Sequence, residues 1–191
     1  MARTPQITVD TRLGTRSKGL YRSGDGGQTW TAVSLEPLTA RAQVLNLLVS
    51  PTTSTVVYAT ACESSRLENL RLYRSVDGGQ SWMVLSRGLP VLGWQITLGM
   101  STPDPARLYL GAQGKLYVSD DGGETWQASK GFPAGAIARA LVTDPGEPLA
   151  AYAATVGGVW WTDDGGRTWQ SWSGGDLRAR TAILGLLILD A

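Results

Sequence analysis

Four stretches decide how this chain folds: SGDGGQTW at Ser23–Trp30, SVDGGQSW at Ser75–Trp82, SDDGGETW at Ser119–Trp126 and TDDGGRTW at Thr162–Trp169. Each obeys [ST]-x-D-G-G-x-[ST]-W. The central aspartates, Asp25, Asp77, Asp121 and Asp164, are 52, 44 and 43 residues apart. Asp-Gly is a hairpin dipeptide, because glycine accepts positive φ without steric cost. The carboxylate accepts backbone N–H groups across its own turn, as do the flanking Ser and Thr hydroxyls. The closing tryptophans, Trp30, Trp82, Trp126 and Trp169, are expected to bury a large aromatic surface and anchor the returning strand.

Outward from each turn the sequence repeats as well. An apolar strand precedes every turn: GLYRS, RLYRS, KLYVS and GVWWT, aligning Tyr21, Tyr73, Tyr117 and Trp160. A second strand lies upstream, carrying Tyr58, Tyr109 and Tyr152 in one register. Before it comes a third that ends in a Pro-containing turn, and after the Trp a short fourth. The unit is therefore four antiparallel strands, A to D, with the Asp turn joining C to D. Four-stranded units at this period read as β-propeller blades, which stack to cover both sheet faces. The fold class is all-β.

The octapeptide resembles the Asp-box, or bacterial neuraminidase repeat, found in sialidases, sortilin-type receptors and photosystem II stability factor-like proteins. The resemblance covers nearly the whole chain. It implies a propeller in which the Asp-boxes lie on the rim, away from any active centre. The four aspartates and their tryptophans are accordingly read as structural.

The expected domain is a single propeller spanning 1–191. Its blades are about 1–35 plus 181–191, 36–86, 87–130 and 131–180. The first Asp turn is preceded by strands B and C only, whereas the tail ARTAILGLLILDA aligns with the strand A segments. The tail, about Thr181 to Leu189, is expected to complete blade one and remove an exposed edge. A closed four-bladed monomer is favoured. A strand-exchanged pair of eight blades and a segment of a longer propeller are the alternatives.

Composition narrows the chemistry. The 191 residues are 42% hydrophobic and 17% charged, with a net charge of +1 and no histidine. Histidine-based catalysis and His-ligated metals are excluded. The single cysteine, Cys62, excludes an intrachain disulfide and a cysteine-cluster zinc site. Beside Glu63 it is a poor thiolate. No cofactor, metal or nucleic-acid partner is expected, nor membrane insertion, since no apolar run is long enough to span. No signal peptide is visible, and the cytoplasm is the expected compartment.

A propeller presents its D–A and B–C loops on the face opposite the C–D turns, and here those loops are rich in arginine. Arg12, Arg16, Arg66, Arg178 and Arg180, with Trp94, are the candidate partner-binding residues. They suit an acidic protein segment, with an anionic glycan as an alternative. Sialidase chemistry is expected to be absent. The family's N-terminal Phe/Tyr-Arg-Ile-Pro signature is missing, and none of the five glutamates falls in a strand A segment. The expected function is a non-catalytic protein-interaction or assembly scaffold. A carbohydrate-binding or glycoside-hydrolase-like module, and a structural subunit of a larger complex, are the alternatives.

Overall fold

Short stretches of β-branched and aromatic residues, each closed by a Gly- or Pro-bearing turn, form strands because pleated pairing is how they bury side chains on both faces. The computed structural model describes residues 6–9, 20–25, 27–33, 42–62, 70–85, 87–90, 92–93 and 95–172. It divides into two compact units, Met1–Leu85 and Ser86–Ala191.

The first unit holds two sheets. In one, β1 (Gln6–Val9), β2 (Leu20–Ser23) and β3 (Thr31–Val33) pair antiparallel in chain order. The other contains β4 (Gln43–Val49), β5 (Val57–Cys62), β6 (Arg71–Ser75) and β7 (Met83–Leu85), again antiparallel in chain order. Strand β5 is buried along its whole length, so it reads as a run of small apolar residues rather than an alternation. Its one polar core residue, Thr60, accepts a hydrogen bond from Asn46 Nδ2 at 3.0 Å. Leu20, Ala42, Val44, Ala59, Ala61 and Tyr73 form the core between the two sheets.

The second unit repeats the plan. Strands β8 (Ile96–Met100), β9 (Leu108–Ala112), β10 (Lys115–Ser119) and β11 (Gln127–Ala128) make one sheet. Strands β12 (Ala140–Thr143), β13 (Ala151–Thr155), β14 (Gly158–Thr162) and β15 (Gln170–Ser171) make the next. Tyr109, Leu116 and Val118 of one pack on Ala151, Ala153 and Trp169 of the other. Phe132 and Trp160 close the edge of that core.

Each sheet is a blade with strands in the expected A-to-D order, and blade one has the B, C and D strands. The tail expected to pair with β1 lies outside the described residues.

The linker between blades three and four is pinned by the backbone. Lys130 N–H donates to Arg167 O, and Trp169 N–H to Lys130 O, both at 2.9 Å. This short parallel bridge ties the end of one blade to the Asp-box of the next. Among the described residues no helix is long and apolar enough to cross a membrane.

Candidate functional site

Each Asp-box folds as the same hydrogen-bonded loop. In blade two, Asp77 Oδ1 accepts the N–H groups of Gln80 and Ser81, both at 2.9 Å. Its Oδ2 accepts the Ser81 hydroxyl at 2.5 Å. The Ser75 hydroxyl donates to Asp77 Oδ1 at 2.8 Å and accepts Gly79 N–H at 2.7 Å. Trp82 Nε1–H closes the loop on Gly79 O at 3.1 Å. The corresponding bonds recur around Asp25, Asp121 and Asp164.

The loop is wider than a two-residue hairpin turn. Both glycines of the Gly-Gly pair carry positive φ, 72° and 87° at Gly78 and Gly79, which aims successive N–H groups at the one carboxylate.

Those donors favour the charged carboxylate. Asp25 is held down at about 2, first by the Thr29 hydroxyl and then by the Thr29 N–H and Ser23 hydroxyl. Asp77 is held below the usual carboxylate range in the same way, Ser81 leading. At Asp121 burial pushes upward, but the Thr125 and Ser119 donors outweigh it and the group settles at about 2. Asp164 is lowered by the same balance.

A depressed folded-state pKa contributes stability that is complete above the unfolded value, near ~3.9, and is lost as pH falls through the folded value. Urea unfolding should therefore give a flat free energy from neutral pH to about pH 5, then a fall between about pH 4 and pH 2. Asp121→Asn should make that fall shallower by the share of one of the four carboxylates. A variant whose acid limb is as steep as the parent's would show that the carboxylate is not the titrating brace.

The tryptophan anchors are unequal. Trp126 and Trp169 are buried, at 5% and 2% exposure, and Trp82 is half-buried. Trp30 is 41% exposed, which corrects the expectation that all four are buried. The physical reason is that an Asp-box tryptophan is covered by neighbouring chain as well as by its own turn, as Trp169 is by Tyr109 and Phe132.

The two ends of the blades in the second unit differ in chemistry. A–B and C–D turns share one end: Gly165 N–H donates to Leu149 O, and Arg107 Nη1 to Pro148 O. B–C and D–A segments share the other, where the Gln113–Gly114 turn lies against Gly135. The A–B turns carry Asp104, Asp144 and Glu147, and the C–D turns Asp120, Asp121, Glu124, Asp163 and Asp164. Two cations answer them. Arg107 Nε and Arg167 Nη2 bind the two oxygens of Asp120, at 2.8 and 2.7 Å. The described B–C and D–A segments of this unit carry Arg87, Lys115, Lys130 and Arg139, and no acid.

Arg12, Arg16, Arg66, Trp94, Arg178 and Arg180 lie outside the described residues. Lys115 and Arg139 stand at the B–C and D–A end of the second unit and were not among the sequence-derived candidates. Each stands at a strand start beside a B–C or D–A turn, and counting strand termini as well as loops would have found them. Cys62 is buried. Among the described residues no group of His, Cys, Asp or Glu is arranged to hold a metal ion.

Antiparallel blades carrying this hydrogen-bonded Asp-box turn are those of a β-propeller fold. The sequence profile of the BNR/Asp-box repeat matches residues 117–128, the third of the four turns. In structure the chain is similar to an ancestral GH74 enzyme, with a TM-score of 0.67 and 17% identity over 90% of this chain and 24% of that one. It is also similar to the GH74 xyloglucanase of Xanthomonas campestris, with a TM-score of 0.65 and 22% identity over 85% of this chain and 28% of the other. YCF48 from Cyanidioschyzon merolae gives a TM-score of 0.59 and 17% identity over 83% of this chain and 54% of that one. The chain thus spans about a quarter of the two GH74 structures and about half of YCF48. A comparison with curated proteins gives no significant match.

Proposed function

We propose that this chain is a non-catalytic β-propeller that acts as a protein-interaction or assembly scaffold and binds an acidic protein segment at its B–C and D–A end. The observation that carries the reading is the charge segregation of the second unit. Among the described residues, one end gathers Arg87, Lys115, Lys130 and Arg139 without an acid, while the acids collect at the Asp-box end. Arg12, Arg16, Arg66, Arg178, Arg180 and Trp94 are the proposed main contacts. Arginine forms bidentate pairs with carboxylates, and arginine and tryptophan are the residue types enriched at interface hot spots.

The Asp-box carboxylates support the non-catalytic part. Each is occupied by turn donors and held ionised, the opposite of a general acid, which must keep its proton near neutral pH. Glu124 and Glu147 are exposed turn residues.

Affinity capture from the source organism identifies the partner, and titration then tests the surface. Changing Arg12, Arg16, Arg178 and Arg180 together to Ser should weaken binding roughly tenfold or more and flatten its salt dependence. Unchanged affinity with unchanged salt dependence would remove the proposed face.

A glycan-directed reading draws on the fold shared with the xyloglucanase and on the exposed ring of Trp172. Turnover of xyloglucan or sialyllactose by the purified chain would overturn the scaffold reading in its favour.

A further inference from the structure

Arg22 marks a place where blade one departs from the other blades. It follows the aligned tyrosine of strand C, and the residue paired with it on β1 is Ile7. At the same register the other blades place a tyrosine: Tyr58 opposite Arg74, Tyr109 opposite Val118 and Tyr152 opposite Trp161. In blade two the arginine lies over that ring, 6.0 Å from the Tyr58 centroid. Strand β1 offers Arg22 no ring at that register. The guanidinium lies instead against the Asp-box turn of blade two. A Cβ on Gly78 would be 3.6 Å from Arg22 Nη1 and 3.7 Å from both Cζ and Nη2, so the turn meets the flat face of the group.

A guanidinium donates in its own plane, so a neighbour on its face leaves its N–H groups to be answered by others. Arg107, half-buried, is answered: its Nε donates to Asp120 and its Nη1 to Pro148 O. Arg22 is half-buried too, and among the described residues no carboxylate or carbonyl accepts from its side chain. It borders a cavity of about 470 Å³, a volume in the range of small-molecule sites, with Gly24, Thr31, Ala32, Val33, Gly79 and Gln80. Arg22 is the one charged side chain among the described residues that line it. Asp25 and Asp77, in the adjoining turns, hold the hydroxyl and N–H donors of their own loops. Three consecutive residues of β3 line the cavity, so it runs along the edge of that strand, the last of its sheet.

We propose that this cavity binds a small organic carboxylate. Arg22 takes the two carboxylate oxygens as a bidentate pair, the geometry its planar fork matches best. Thr31, paired directly with Arg22 across β2 and β3, supplies a hydroxyl donor beside it. Ala32 and Val33 cover the apolar body of the ligand, whose removal from water adds to the affinity. An inorganic oxyanion would use the arginine and leave those two residues without a partner. The site lies beside the Asp-box turns of blades one and two and not on the B–C and D–A loops assigned to the protein partner, so the two readings are tested separately.

Ligand-observed NMR titration of the full chain tests this, with isovalerate as the probe and its neutral amide, isovaleramide, as the control. Isovalerate should bind saturably, and isovaleramide roughly tenfold or more weakly, because the amide keeps the apolar body and loses the charge. Inorganic phosphate and acetate should also bind more weakly than isovalerate. Arg22→Gln should lower the isovalerate affinity roughly tenfold or more, and Arg22→Lys should restore only part of it, since an ammonium lacks the planar fork. Circular dichroism checks that both variants keep the parent's β-sheet spectrum. The amide comparison uses the parent chain and stands whether or not the variants fold. Equal binding of isovalerate and isovaleramide would overturn the proposal. So would a folded Arg22→Gln chain with the parent's affinity, or no saturable binding of isovalerate at roughly tens of millimolar. Phosphate binding as tightly as isovalerate would overturn it in favour of a plain oxyanion site.

Discussion

Trp169→Ala should lower the free energy of unfolding by about 3–5 kcal/mol, the cost of emptying a buried aromatic site. The side chain is 2% exposed and fills the space between blades three and four. It meets Tyr109 edge-on at 6.2 Å and Phe132 at 6.4 Å, so both rings lose a partner at once. The indole N–H is the smaller part of the loss. Gly166 O, which accepts it at 3.2 Å, also accepts the Ser129 hydroxyl, so no buried carbonyl is left without a donor. Trp169→Phe, which keeps a ring and drops the N–H, should recover most of the stability. Trp30→Ala, in dilute solution, should cost roughly 1 kcal/mol or less because that ring is already largely in water. Urea denaturation of the three variants checks the order. Equal losses at Trp169 and Trp30 would mean that the turn, not the interblade packing, is what the tryptophan supports.

That contrast marks where the sequence stopped being legible. The octapeptide is local. Its donors, acceptor and positive-φ glycines lie within eight residues, so the turn and its aspartate's role follow from reading along the chain. Strand order follows too, because the aligned tyrosines fix which segments are equivalent. Burial of the closing tryptophan does not follow, because it depends on what lies across from each turn. The octapeptide around Trp30 matches the other three, yet the environment differs. The Arg107–Asp120–Arg167 cluster was equally hidden. Its pairs are 13 and 47 residues apart, and adjacent aspartates in a turn read as a turn and not as a brace between blades. The basic loop end was half legible. Loop arginines are visible in the sequence, but the lack of acids among the described residues of that end emerges once A–B and C–D turns are placed together.

The linkers held another repeat whose reason the sequence conceals. Ser86–Pro90 and Ser129–Pro133 both read Ser-[Arg/Lys]-Gly-x-Pro. Glycine there looks like ordinary turn punctuation, but each is packed against the backbone of the following Asp-box. A Cβ on Gly131 would lie 2.3 Å from Trp169 O, and one on Gly88 2.4 Å from Trp126 O. The obstacle is backbone, so no side chain can swing aside. Relief requires breaking the bridge that joins Lys130 to Arg167 and Trp169 through two 2.9 Å hydrogen bonds. Gly131 also has φ of +78°, a conformation that costs a residue with a Cβ about 1–2 kcal/mol. Two net backbone hydrogen bonds are worth about 1 kcal/mol each. Gly131→Ala should therefore destabilise the chain by about 3–4 kcal/mol, comparable to removing the tryptophan it touches. Gly135→Ala separates strain from collision. Its φ is +77°, but a Cβ there meets nothing within 4 Å, so the loss should stop at about 1–2 kcal/mol. Equilibrium unfolding of the two variants reads the difference directly. If Gly131→Ala costs no more than Gly135→Ala, the linker slides off the Asp-box without penalty, and the bridge is not what holds blade three to blade four.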